Sequence, residues 1–279
     1  VPRFGDLTRR DLRKQLSSRV GDYLEGTTTL AGNVTTMFDN ARLEGSLGLS
    51  FKPGNYVYFP TGAVLAGTER LVTSFSWGSL MTFAPAAPSL IPSGLIYELH
   101  NYSVSTYNDA LKTGETRVRD YVWLDNVVEL TWTSDTYEVA RGSLLIDSLA
   151  DVQFYDTYRG RWYSVEGPFK PTRLPGWKIA PGLSPILIFN RNAITPPGSG
   201  ATYRLFGQRR PQLMTLDSDT CEITEQWVLD IAEMEIHLSR DTGSRDATQR
   251  AARGAKAWER FRLSLGAMVG PRPGSVALK

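Results

Sequence analysis

The chain has 279 residues, 41% of them apolar and 22% charged, and its 31 basic against 29 acidic side chains leave a net charge of +2. That balance is ordinary for a globular protein, excludes wholesale disorder, and is too small for a protein that wraps nucleic acid over its whole surface. Apolar runs such as Leu144 to Ile146 fall far short of the ~20 residues of a membrane span; with a lone Cys221 and an opening, VPRFGDLTRRDLRKQL, that lacks a signal-peptide core, the expectation is folding in a cytosol.

Leu12, Leu16, Val20 and Tyr23/Leu24 recur at helical spacing and predict a helix over about 7–24, started by Thr8 with Asp11 as a capping box and stopped by Gly26. Six short β-branched and aromatic runs follow (NVTTMFD, LGLSF, NYVYF, RLVTSF, LMTF, IYEL), separated by turn residues, and imply a β-sandwich or small barrel. Val104, Tyr107 and Leu111 predict a second helix over 103–113, closed by Gly114. The β pattern then resumes in VVELTW, YEVAR, LLI, VQFY, RWYSV, ILIF and TYRLF, with Pro/Gly loops such as GPFKPTRLPGWKIAPG between them. Ile223, Trp227, Ile231, Met234 and Leu238 predict a third helix over 222–239, and Ala251, Ala255, Trp258, Phe261 and Leu265 a fourth over 247–265. The tail AMVGPRPGSVALK reads as an extended arm.

Helices with one apolar face need partners, so the expected fold class is α+β: a four-helix bundle core with large β-sandwich-like insertions and an extended C-terminal arm. The expected boundaries are 1–26 for the first bundle helix, 27–100 for the first β insertion, 101–124 for the second helix, 125–210 for the second insertion, 211–265 for helices three and four, and 266–279 for the arm.

Reactive groups are sparse. His100 and His237 fall in different elements and read as surface or half-buried side chains; neither a nucleophile elbow, zinc spacing nor a phosphate-binding glycine loop is present. No catalytic residue, metal or cofactor is therefore assigned. The acids Asp217 and Asp219 sit ahead of the third helix, where they would offset the positive end of its macrodipole. The many aromatics read first as packing, with a sugar-binding sandwich that uses the rings as stacking platforms as the alternative and a polysaccharide-cleaving enzyme behind it.

Charge is unevenly placed. Between Asp217 and Ser239 lie seven acids and no Lys or Arg, and between Arg240 and Lys279 nine basic residues against three acids. Such blocks suit each other within one chain or between neighbouring subunits, or form two solvated faces. Asp217, Asp219, Glu222, Glu225 and Glu233 are the acidic candidates for pairing between subunits. Arg250, Arg253, Lys256 and Arg260 are their basic counterparts. Arg209 and Arg210, just before Pro211, would pair with a carboxylate of the same or a neighbouring chain, or face DNA.

The stretch GTERLVTSFSWGSLMTFAPAAPSLIPSGLIYEL (Gly67 to Leu99), followed by VSTYNDAL, resembles a pattern that recurs in virion proteins of tailed bacteriophages: a GE-R-V strand, a turn, an LT-AP strand, a proline loop, G--YEL and a helix. YRLFGQRRPQLMTLDSD fits its later part, YRL-G-RRP--L--D-D ahead of a helix. Those proteins look like head-to-tail connector components, and this chain departs from the small adaptors in its large β content. The resemblance implies a non-enzymatic virion protein at the head-to-tail junction, made in the host cytoplasm and forming a ring, typically dodecameric, beneath the portal. Its partners would be copies of itself, the portal protein and a downstream neck or tail protein, with genomic DNA passing through the channel unread and no membrane contact. The implied docking arm would use Arg262, Pro271, Arg272, Pro273, Val276, Leu278 and Lys279.

Overall fold

The structure, a computed structural model, describes residues 7–21, 23–43, 53–76, 79–131, 138–140, 146–165, 177–180, 186–189, 200, 202–239 and 247–268. The chain divides into two compact units, one formed by Val1–Val118 with Leu213–Lys279 and the other by Arg119–Gln212.

In the first unit, helix α1 (Arg9–Val20) opens with the expected capping box: Asp11 N donates to Thr8 Oγ1 and Thr8 N donates to Asp11 Oδ2, both at 3.2 Å. It stops at Gly21, not Gly26. Tyr23 and Leu24, expected as its last turn, begin strand β1 (Tyr23–Thr27), and Gly26 serves a different purpose there. A Cβ at Gly26 would lie 2.4 Å from Tyr97 Oη and 2.7 Å from Asp39 Oδ2, so the glycine lets the Tyr97 hydroxyl reach that carboxylate at 2.6 Å.

Strands β2 (Thr36–Phe38), β3 (Tyr56–Phe59), β4 (Thr68–Ser76), β5 (Leu80–Ala84) and β6 (Ile96–His100) join β1 in one antiparallel sheet of order β1-β6-β3-β4-β5-β2. The sheet curls until its edges meet. Leu30, just past β1, bridges Phe38 of β2, and Thr29 N donates to the Phe38 carbonyl at 2.9 Å. An irregularity between Val72 and Ser74 in the β4–β5 register adds the local bend that such curvature needs. Met37, Val57, Phe59, Val72, Met81, Phe83, Tyr97 and Leu99 fill the inside and are at most 1% exposed.

This sheet-built core overturns the expected four-helix bundle. A bundle core requires every helix to turn an apolar stripe to a common axis, whereas α1 turns Arg10 and Arg13 onto the sheet and the large apolar cluster comes from the strands and their loops. The first β region is likewise one curled sheet and not a sandwich. Helix α2 (Val104–Arg119) runs through Gly114 instead of ending there, and a Cβ at Gly114 would sit 2.6 Å from the carbonyl oxygen of Val228 in α3 (Glu225–Ser239). The glycine is a contact point between helices. α3 is buried along its middle, including Trp227, Val228, Ile231, Ala232 and Ile236, with Gln226 and Leu238 exposed toward its two ends. α4 (Ala247–Met268) packs on it through Gly254, Ala257 and Phe261, and carries Gly266 inside the helix where the extended arm was expected to begin.

The second unit holds strands β7 (Leu124–Thr131), β8 (Glu138–Ala140), β9 (Ser148–Asp156), β10 (Arg161–Val165), β11 (Trp177–Ala180), β12 (Ile186–Phe189) and β13 (Thr202–Arg209). They form two antiparallel sheets of order β10-β9-β13-β7 and β11-β12-β8. β11 lies where the sequence predicts only a Pro/Gly loop. Strand alternation buries Val152, Phe154, Tyr203 and Leu205 on one face, and on the other lays the Arg204 guanidinium over Trp162 at 4.0 Å and Phe206 at 4.8 Å.

Candidate functional site

Alternation along β6 sends Tyr97 and Leu99 inward and Glu98 and His100 to the outer face of the curled sheet. α1 covers that face. Arg10, Arg13 and Ser17, spaced by three and four residues, lie on one side of the helix and meet the strand carboxylate below them. Arg10 Nε donates to Glu98 Oε1 at 2.6 Å, and Arg13 Nη2 to Glu98 Oε2 at 3.3 Å. Arg13, Glu98, His100 and Ser17 have no exposed surface.

A second carboxylate comes from the segment between β13 and α3. Asp217 accepts from Arg13 Nη1 and Nη2 at 2.8 and 2.9 Å, from Arg9 Nη2 at 2.9 Å and from the Tyr58 hydroxyl at 3.0 Å. The same segment closes the start of α1 through its backbone: Arg9 N donates to the Asp219 carbonyl at 2.9 Å, Arg10 N to that of Asp217 at 3.3 Å, and Cys221 N to that of Leu7 at 2.9 Å. Asp217 therefore does sit at a helix N-terminus, but the helix is α1, not α3. α3 begins only at Glu225. Asp219 instead fixes its own turn, accepting from Thr215 N and Leu216 N, both at 2.7 Å.

Burial opposes charge on both acids, and the cations win. For Glu98 the hydrogen bond from His100, the Arg13 charge and the Arg10 hydrogen bond pull the carboxyl down to about 2; for Asp217 the Arg13 and Arg9 contacts do the same, also to about 2. Burial pushes His100 below its usual value, against the pull of Glu98. A neutral ring protonated on Nε2 donates to Glu98 at 3.2 Å and accepts from the Ser17 hydroxyl on Nδ1 at 2.9 Å, so both nitrogens are satisfied.

Ser17, His100 and Glu98 thus form a row with the connectivity of an acyl-transfer triad. Its surroundings give it another role. The hydroxyl is sealed beneath α1, Ser17 addresses Nδ1 instead of Nε2, and Glu98 is held by two arginines, so the row locks helix to sheet. The expectation of surface or half-buried histidines fails at both positions, since His237 is also buried at 4% exposure. A readable signal existed: two polar residues two apart in IYELH, opposite a polar helical stripe at 10, 13 and 17. Among the described residues no group of three or more His, Cys, Asp or Glu is placed to hold a metal ion.

The other sequence candidates are scattered. Glu233 accepts from Arg260 Nη2 at 2.7 Å, and Arg260 Nε also reaches Asp230 at 3.2 Å, so these partners of the acidic and basic blocks meet within one chain. Arg19 of α1 approaches the same two acids at 3.2 and 3.8 Å. Arg210 pairs with Asp120 and lies 5.2 Å over Trp123, while its backbone N donates to Asp147 at 2.7 Å; Arg209 Nη1 bonds the Arg210 carbonyl at 3.3 Å. Glu222 is half-buried ahead of α3, and Glu225 opens that helix, where its charge suits the macrodipole. Arg253, Lys256 and Arg262 are exposed on α4. Arg250 lies in α4 with its side chain outside the described residues, as do Pro271, Arg272, Pro273, Val276, Leu278 and Lys279 entirely.

Comparison with protein-family models gives no match, and comparison with curated proteins gives none either.

Proposed function

We propose that this chain is a structural protein of a tailed-phage virion, forming a ring at the head-to-tail junction that joins portal to tail and keeps the DNA channel continuous. The observation that carries this reading is the placement of the resembling segments. Gly67 to Leu99 supplies β4, β5, a proline loop and β6, and VSTYNDAL opens α2, in the order the resemblance implies. The use of charge supports it too. The buried ionic cluster holds α1, the curled sheet and the Asp217 segment together, as a rigid assembly component requires. In this reading the segment that follows α4, beyond Met268, docks on the portal, and no membrane or cofactor takes part.

The test is a cryo-EM reconstruction of the native particle that contains this chain. A closed ring around a DNA-sized channel, with the segment after Met268 against a portal-like subunit, is the expected result. A peripheral position with its aromatic faces turned outward would overturn it and favour a glycan-binding module.

A further inference from the structure

Strand β1 ends the order of its sheet and has a strand, β6, along one side only. The bond from Thr28 N to the Leu95 carbonyl, at 2.9 Å, sets which backbone groups face which way. Alternate residues of an antiparallel ladder bond the same neighbour, so Leu24, Gly26 and Thr28 serve β6, while the N–H and C=O groups of Glu25 and Thr27 point out of the sheet edge. Thr29 points the same way and finds the Phe38 carbonyl at 2.9 Å. Among the described residues no backbone group pairs with Glu25 or Thr27 on that side.

β2 does not continue alongside them because the chain turns away at Asp39. This fully buried carboxylate accepts from Ala41 N and Arg42 N at 2.9 and 3.0 Å through Oδ1, and from the Tyr97 hydroxyl at 2.6 Å through Oδ2. Leu43 N closes the turn on the Asp39 carbonyl at 3.1 Å. Between that turn and β1 lies a cleft of about 600 Å³, walled by residues 25–29 on one side and by Asp39, Ala41 and Arg42 on the other. Thr27, Thr29, Ala41 and Arg42 are exposed along it, so the cleft opens to solvent.

We propose that this cleft takes an extended segment of another polypeptide, added as a strand beside β1 and carrying a carboxylate side chain toward Arg42. Two features select the occupant. An open strand edge presents donors and acceptors at the spacing of a further strand, which an extended peptide matches group for group. Charge selects the side chain. Glu25 is already met by Lys14 at 2.5 Å and Arg10 at 3.4 Å, and Asp39 by its three donors. Arg42 is exposed and has no carboxylate within ion-pair distance among the described residues. One cation suits a single carboxylate and is too few for the phosphates of a nucleic acid or an anionic membrane. The site stands or falls independently of the ring reading.

Selection from a random peptide library tests it, on the wild-type chain and in parallel on Thr27→Pro, which removes the outward N–H and spares the bonds to β6. Circular dichroism checks that the variant folds. Peptides rich in Asp or Glu should be enriched on the wild type and, once synthesised, bind Thr27→Pro at least tenfold more weakly. Amide hydrogen exchange should slow at Glu25 and Thr27 when peptide binds and stay unchanged at Leu24 and Gly26, which already bond β6. Arg42→Glu leaves the edge intact and should turn the preference to Lys and Arg peptides; it decides the matter if Thr27→Pro does not fold. No enrichment over the proline variant, protection at another strand, or a preference unchanged in Arg42→Glu each overturns the inference.

Discussion

Arg13 and Asp217 stand 204 residues apart in the chain and meet through two hydrogen bonds of 2.8 and 2.9 Å, with the guanidinium fully buried. Removing the carboxylate charge leaves Arg13 with Glu98 as its remaining anion. Asp217→Asn should therefore destabilise the first unit by about 3 kcal/mol, the low end for breaking a buried ion pair from one side. Urea unfolding followed by tryptophan fluorescence measures it. A loss below about 1 kcal/mol, the range of exposed pairs, would show that the cluster is not structural.

The same carboxylates set an acid limit. Asp217 and Glu98 are held at about 2 when folded, below their ordinary 3.8 and 4.5, so their contribution is complete above those ordinary values and lost as pH falls toward 2. His100, depressed by burial, acts in the same direction and begins to cost stability below its ordinary 6.5. The melting temperature should decline gently below about pH 6.5 and steeply between about 4.5 and 2. In Glu98→Gln the steep part should shrink, and an unchanged profile would place the acid sensitivity elsewhere.

Two buried helical glycines should respond oppositely to alanine. At Gly114 the new methyl would meet the Val228 carbonyl oxygen at 2.6 Å, forcing α2 from α3, and a cost of about 1–3 kcal/mol is expected. At Gly254 the nearest atoms lie at 3.5 to 3.6 Å, ordinary contact, so the substitution should gain about 0.5–1 kcal/mol from helix propensity. Paired thermal melts decide both signs.

Cys221 offers a chemical probe of the Asp217 segment. It is fully buried, burial pushes its thiol up to about 12, and its backbone N is bonded to Leu7. The native protein should resist thiol reagents at pH 8 and become reactive on unfolding. Asp217→Asn should raise the native labelling rate by tenfold or more if the segment opens locally; an unchanged rate would mean the backbone bonds alone hold it.

Local features were legible in the sequence and distant ones were not. The Thr8–Asp11 box is a spacing of three residues and forms as predicted, and β3, β5, β6, β7 and β13 fall on the runs that announced them. Arg10, Arg13 and Ser17 look like the solvent side of an amphipathic helix, since nothing nearby in the chain says that a carboxylate on β6 will neutralise them. The bundle expectation failed at that point. Asp217 failed in a similar way: the acid-before-helix pattern named the correct physical partner, a helix N-terminus, but chain proximity selected the wrong helix.

The closure of α1 by residues 217–221 has a consequence for biosynthesis. α1 finds the backbone partners of its first turn and its second counter-ion only after the chain has been made as far as Asp217, 204 residues beyond Arg13. Arg119–Gln212, continuous in sequence, can gather its strands while still attached; the unit built from both sides of it cannot seal its outer face until Leu213 onward has emerged. A nascent chain stalled before Leu213 would hold an α1 whose Arg9 and Arg10 backbone N–H groups lack their carbonyl partners and an arginine stripe short of one carboxylate, and would be a substrate for chaperones until synthesis resumes.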